Sequence, residues 1–162
     1  MFRVGILTVS DKGAAGARED TAGPALKELL DPEGFAVTSY RVVPDEYGEI
    51  VAALVAWSDQ DKLDLILTCG GTGPAPRDIT PESTLAVAER LVPGIPEAMR
   101  AAGLAKTPHA MLSRGVAVIR GNTLIINLPG SLRGATESLE AILPALPHAL
   151  EKLQGSPADC GG

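Results

Sequence analysis

Between Thr68 and Thr84 the chain reads TCGGTGPAPRDITPEST, a stretch whose residue types suit an anion. Gly70, Gly71 and Gly73 tolerate positive φ and let a ligand come close to the backbone. Successive N–H groups in such a turn make a concavity that fits phosphate, and Thr72 adds a hydroxyl. Thr80 stands where a helix N-cap is expected, with Pro81 at the first helical position. The dipole of that helix would favour negative charge in the loop. Two familiar nucleotide motifs are excluded: no GK[ST] closes a P-loop, and the third glycine of the dinucleotide fingerprint is missing. On glycines alone, a tight structural turn and a phosphate site are equally open. The Arg77–Asp78 pair inside the loop adds a ligand clamp or a metal carboxylate to the readings.

Other chemistry-bearing residues fall at similar breaks in the chain. Ser10 and Asp11 end the first apolar run, where ligand contact and a structural turn are both open; Asp20 stands in the same position. Asp45 precedes a helical pattern and, read by itself, is an N-cap. Asp78 has a plain alternative too, an internal bond to Arg77 or to loop amides. Glu82 reads as a surface residue favoured by the helix dipole. Gly130-Ser131 lies in GSLRG, which is not the GxSxG elbow of hydrolases, so no serine nucleophile is supported. His109 and His148 lack metal-ligand spacing. Cys69 reads as a small buried hydrophobe.

These residues need a scaffold, and five apolar, β-branched runs supply it: 3–10, 35–43, 63–68, 115–121 and 123–128. Helical patterns at 21–30 and 46–57 separate the first three, giving a β-α-β-α-β order with parallel strands and right-handed crossovers. PESTLAVAERL and IPEAMRAAGLA continue as two further helices. Gly121-Asn122 then joins two strands as a tight hairpin, so the sheet is mixed. The segment 131–154 is helical, broken by Pro144 and Pro147. The expectation is an α/β protein, a three-layer α/β/α sandwich with a mostly parallel mixed sheet and a terminal β-hairpin. Residues 1–154 form one domain and 155–162 a loose tail. Ligands of such sheets gather outside the carboxyl ends of the strands, which is where SDKGAAGARED, PDE, the glycine stretch and LPGS fall.

Composition narrows the function. The 162 residues are 45% hydrophobic and 21% charged, a soluble globular balance, and 3% aromatic, so Ala, Val, Leu and Ile must build the core. A net charge of −6 argues against a nucleic-acid partner, which needs a basic face. Cys69 and Cys160 make neither a disulfide framework nor a zinc pattern. MFRVGILTVSDK is not a signal peptide, and no run reaches membrane-spanning length. The expected location is cytoplasmic.

GGTGPAPRDITPE resembles the signature of the MogA-type molybdopterin adenylyltransferases, relatives of the G domains of gephyrin and its plant counterparts. VSD (9–11), DTAGP (20–24), VPDE (43–46), MLSRG (111–115) and NLPGS (127–131) extend the likeness in order along the chain. The MoaB branch shares the fold and GGTG, whereas PRDITPE resembles the MogA branch. The resemblance implies transfer of AMP from ATP to the terminal phosphate of molybdopterin, with Mg²⁺ and release of pyrophosphate. It implies that Gly70, Gly71, Thr72, Gly73, Gly130 and Ser131 bind nucleotide. It makes Asp78 and Asp45 catalytic and the holders of Mg²⁺, displacing both plain alternatives. Ser113, Arg114, Ser10 and Asp11 fall to the molybdopterin side, with Arg114 able to grip a phosphate by a bidentate contact. Taken alone, Ser113 is a turn hydroxyl. A homotrimer is implied, with a MoaB-like hexamer as the alternative, and a downstream molybdotransferase as a further partner. A non-catalytic MoaB-like paralogue that binds molybdopterin or nucleotide is the competing reading. Molybdate insertion is a weaker third.

Overall fold

The computed structural model describes residues 1–157. Cys160 and most of the expected tail lie outside the described residues. Strand β1 (Phe2–Val9) leads through a one-turn helix α1 (Asp11–Ala14) to helix α2 (Ala22–Leu30). Strand β2 (Phe35–Val43), helix α3 (Tyr47–Val55) and strand β3 (Leu65–Cys69) follow. Helix α4 (Thr80–Ala86), strand β4 (Arg90–Leu91) and helix α5 (Gly94–Leu104) come next. Strands β5 (Ala117–Arg120) and β6 (Thr123–Leu128) precede helices α6 (Leu132–Ile142) and α7 (Leu146–Leu153).

One six-stranded sheet has the order β2-β1-β3-β6-β5-β4. Strands β2, β1, β3 and β6 are mutually parallel neighbours, whereas β5 and β4 pair antiparallel. Alternation along each strand explains the two covered faces. Val4 and Ile6 of β1, with Leu65, Leu67 and Cys69 of β3, pack in one core with α2, α5, α6 and α7. Leu7, Val9 and Ile66 face the other way, onto Ile50 and Leu54 of α3 and Trp57. The three-layer mixed arrangement expected from the sequence is what the chain adopts. Gly121, at φ 56°, makes the hairpin turn between β5 and β6.

Two local expectations change. The helix expected through Leu91 stops at Ala86, because Glu89 N–H and Val92 N–H donate to Ile119 and Ala117 carbonyls and make Arg90–Leu91 an edge strand. Pro144 and Pro147 do break the last helical segment, through a 3-10 turn at Leu143–Ala145. Among the described residues, no helix is long and apolar enough to cross a membrane.

Candidate active site

The carboxyl ends of β1, β2, β3 and β6 bring four loops together. The loop after β3 is fixed first by its backbone. Gly70 has φ 106° and Gly71 φ 68°, both in the left-handed region. A Cβ on Gly70 would stand 2.3 Å from the Val9 carbonyl oxygen, and one on Gly130 would lie 3.1 Å from the Gly70 Cα. The loops after β3 and β6 therefore touch backbone to backbone, which only glycines allow. Gly73 lacks the positive φ expected of it; its open side faces Asp78, whose Oδ2 lies 2.9 Å from where its Cβ would be.

Two cavities lie beside the Gly70–Gly130 contact. The first, about 480 Å³, is walled by Met99 and Leu112 on its apolar side and by Arg100, Lys106 and His109 on its polar side. Thr72, Gly73 and Ser113 complete its mouth. The second, about 410 Å³, is lined by Thr8, Ser10, Arg18, Glu19, Asp20 and Asp45. Gly71, Asp78, Gly130 and Ser131 line both. Asp78 thus stands where the compartments meet.

Unpaired amides lie on that shared wall and beside it. Among the described residues no acceptor takes the N–H groups of Gly71, Thr72, Gly73, Gly130 or Ser131, whereas Gly70 N–H is spent on the Leu128 carbonyl at 3.1 Å. Gly70 shapes the turn, and its neighbours hold the amides suited to phosphate oxygens. Ser131 caps α6 by accepting from Gly134 N–H at 3.0 Å. Ser10 caps α1, accepting from Gly13 N–H at 3.0 Å.

Asp45 departs from its plain reading, whereas Asp78 keeps the loop-amide half of its own. Asp45 is not an N-cap: Glu46 holds that position in α3 and makes no side-chain cap bond. Instead Asp45 Oδ2 accepts from Asp11 N–H at 2.9 Å, and Asp11 Oδ1 accepts from Asp45 N–H at 3.0 Å. Burial raises the Asp45 carboxyl above its ordinary range, and the Asp11 and Asp78 charges add to the rise; the Asp11 amide and Arg77 oppose it. Asp78 does not pair with Arg77. Its Oδ2 accepts from Ala75 N–H at 3.0 Å, while Arg77 reaches Asp11, Glu46 and the Asp45 carbonyl.

Thr80 is also no N-cap. It is the first residue of α4 after Ile79, fully buried, with a hydroxyl that finds no partner among the described residues. It packs under Gly71, where a Cβ would meet its Oγ1 at 2.2 Å. Helix α4 is only seven residues long, so the donors suited to an anion here are the loop amides rather than a helix end.

The four residues expected on the molybdopterin side do not form one group. Ser113 lines the first cavity and Ser10 the second, while Asp11 and Arg114 line neither. Arg114 is committed to the loop itself. Its guanidinium donates to the Gly73 carbonyl at 2.9 Å, to the Asp78 carbonyl at 2.6 Å and to Glu82. Glu82 is the exposed first-turn residue expected, and it also pairs with Arg114, which chiefly holds its carboxyl below the usual range.

Arg100, Lys106, His109 and Arg18 are cavity residues that sequence reasoning misses, because nothing local marks them. They reach the cavities through elements that fold back over the sheet. Asn127, another such residue, bridges Thr68 and Thr84 with its amide at 3.0 and 2.9 Å and anchors α4 to the sheet beneath the loop. Asp20 is tied down by Thr8 at 2.7 Å and Tyr40 at 2.5 Å while facing the second cavity. Cys69 is buried and burial pushes its thiol up to about 12, so it packs as an inert hydrophobe.

Two carboxylates on one rim fit a shared Mg²⁺, which takes one or two protein carboxylates and completes its shell with phosphate and water. Asp45 Oδ1 and Asp78 Oδ1 are left over by the amide bonds just described, and both belong to loops around Gly71. No cluster of three or more potential metal ligands occurs among the described residues.

Comparison with known proteins places the chain. The family model described as a probable molybdopterin binding domain matches residues 5–148. The chain is 42% identical to the molybdopterin adenylyltransferase of Helicobacter pylori strain J99, over 96% of this chain and 89% of that protein. It is 43% identical to gephyrin of Dictyostelium discoideum, over 95% of this chain but 23% of that longer one. The crystal structure of the molybdopterin biosynthesis enzyme MoaB from Thermus thermophilus superposes with a TM-score of 0.92 at 59% identity, covering 98% of this chain and all of that one.

Proposed function

The chain belongs to the probable molybdopterin binding domain family, and on that premise we propose that it is a molybdopterin adenylyltransferase acting in molybdenum cofactor biosynthesis. It joins AMP from ATP to the terminal phosphate of molybdopterin and releases pyrophosphate. The observation that carries this reading is the pair of cavities meeting at Asp78, Gly71, Gly130 and Ser131. Two phosphorylated substrates that must react end to end need two compartments with one common wall.

The chemistry asks little of a base. A phosphate monoester is largely anionic near neutral pH, so its oxygen attacks the α-phosphorus without surrendering a proton to the protein. The bond from that oxygen to phosphorus forms as the α–β bridge breaks, and pyrophosphate leaves with the electron pair. What the protein must overcome is repulsion between two polyanions and charge growing at the α-phosphoryl group. The unpaired amides of Gly71, Gly130 and Ser131 on the shared wall, and of Thr72 and Gly73 in the first cavity, are donors that would serve that charge without needing to reorganise. Mg²⁺, held by Asp45 and Asp78, would neutralise phosphate charge there. Arg100 and Lys106 bring two cations to the first cavity, Lys106 paired there with Glu137 at 3.2 Å, and its apolar wall accepts a flat ring.

Residues 1–154 act as one unit in this proposal. On the same proposal the protein is cytoplasmic and works as a homotrimer. A downstream molybdotransferase is a fitting consumer of the adenylylated product, given that the similar segment of Dictyostelium gephyrin is part of a much longer chain. The 59% identity to a protein named MoaB favours a second reading, a paralogue that binds without turning over. Asp45 and Asp78 both stand at the rim, which supports the enzyme. Asp78→Asn separates the two: turnover is expected to fall by orders of magnitude while molybdopterin affinity changes little. Full activity in that variant would refute the role of Asp78.

A further inference from the structure

Arg77 touches neither cavity, yet it joins three of the four loops around them. From the loop after β3, its Nε donates to Asp11 Oδ2 at 2.6 Å and an Nη to Asp11 Oδ1 at 3.0 Å. The same Nη reaches the Asp45 carbonyl at 3.1 Å and Glu46 Oε1 at 2.9 Å. Asp11 in turn holds the Asp45 amide, and the Asp11 amide holds the Asp45 carboxylate. We propose that Arg77 is a positioning residue for adenylyl transfer: through Asp11 it fixes the Asp45 carboxylate opposite Asp78. This inference rests on the function proposed above.

Three physical points carry it. First, a guanidinium fork against a carboxylate sets direction as well as distance, which a single point charge does not. Second, Asp11, Asp45, Glu46 and Asp78 crowd one rim, and Arg77 is the cation bonded to the first three residues. Without it, Asp11 and Glu46 repel and the carboxylate that holds Asp45 N–H swings away. Third, the pair is half-exposed, with side chains 57% and 42% accessible, and ion pairs of that kind stabilise a fold little. A contact network that is nearly neutral for stability but passes through both loops bearing the site carboxylates is a geometric device. The sequence pairing of Arg77 with Asp78 conceals this, because the partners lie 66 and 31 residues away.

The test is Arg77→Met, with Arg77→Lys alongside it. Arg77→Met is expected to lower kcat on the order of 10- to 100-fold, the usual cost of misplacing a reactive group by about 1 Å. KM for ATP and for molybdopterin should stay near the wild-type values and thermal stability should barely change. Arg77→Lys, which keeps the charge but not the fork, should recover only part of kcat. A crystal structure of the methionine variant should show the Asp45 carboxylate turned from its place beside Gly71, with Asp78 still on Ala75 N–H. The lysine variant supplies the same measurements if the methionine variant does not fold. Asp45 found in place, kcat unchanged, or a rise in KM alone would each overturn the proposal. The structural arm answers without turnover, so inactivity of the wild-type enzyme would count against the proposed reaction and not against the role of Arg77.

Discussion

Asp11 and Asp45 hold each other's backbone amides, at 2.9 Å in one direction and 3.0 Å in the other. This reciprocal lock ties the loop after β1 to the loop after β2 and leaves Asp45 Oδ1 turned toward Gly71. It explains why Asp45 does not cap α3: its carboxylate is taken by a neighbouring loop rather than by its own helix.

That lock has a pH signature. Arg77 first, and the Asp45 amide next, hold the Asp11 carboxyl below its ordinary value of 3.8. A lowered carboxyl contributes stability above its unfolded value and loses it as pH falls through the folded one. Asp11→Asn should therefore melt only slightly below the wild type at pH 7, as an exposed pair allows, with that small gap closing as pH drops below 3.8. Because the group is exposed, added salt should narrow the gap as well. A gap that ignored both pH and salt would mean that the charge of Asp11 is not what the lock uses.

The glycines of the loop should separate in their effects. Gly70→Ala places a Cβ 2.3 Å from a backbone oxygen at φ 106°. The dihedral alone costs about 1–3 kcal/mol, and the clash adds to it, so urea denaturation should show a clear loss. Gly73→Ala meets only the Asp78 side chain, at 2.9 Å, without positive φ. Its stability should lie within about 0.5 kcal/mol of wild type while kcat falls through displacement of Asp78. Equal losses of stability in the two variants would contradict this division.

Arg114→Met tests whether this side chain braces the loop or grips a phosphate. Its bonds to the Gly73 and Asp78 carbonyls predict a fall in kcat with little change in either KM. A tenfold rise in KM with kcat intact would instead place the guanidinium on a substrate, a loss of about 1.4 kcal/mol in uniform binding.

What is legible in the sequence is whatever leaves a local pattern. Val4 and Ile6 against Leu7 and Val9 show the alternation of a strand covered on both faces, and Gly121-Asn122 shows the hairpin. The proposed role of Asp45 rests on a resemblance, that of Asp78 on a resemblance and its place in the glycine loop, and the structure brings their loops to one rim. Non-local partners leave no such trace. Arg77 reads as the partner of Asp78 because they are adjacent, although its acceptors sit in two other loops. Thr80 looks like a cap because threonines often are, whereas packing beneath Gly71 buries it. Arg90–Leu91 continues a helical pattern, but edge pairing with β5 is the stronger demand.

The central claim is that two phosphates meet and react where the cavities join at Asp78. The direct measurement is ³¹P NMR of the wild-type protein mixed with ATP, Mg²⁺ and molybdopterin. The account predicts loss of the molybdopterin monoester signal, growth of a phosphoanhydride pair and stoichiometric pyrophosphate, none of it with Asp78→Asn. ATP left intact beside a folded protein, or split only to ADP and phosphate, would contradict it.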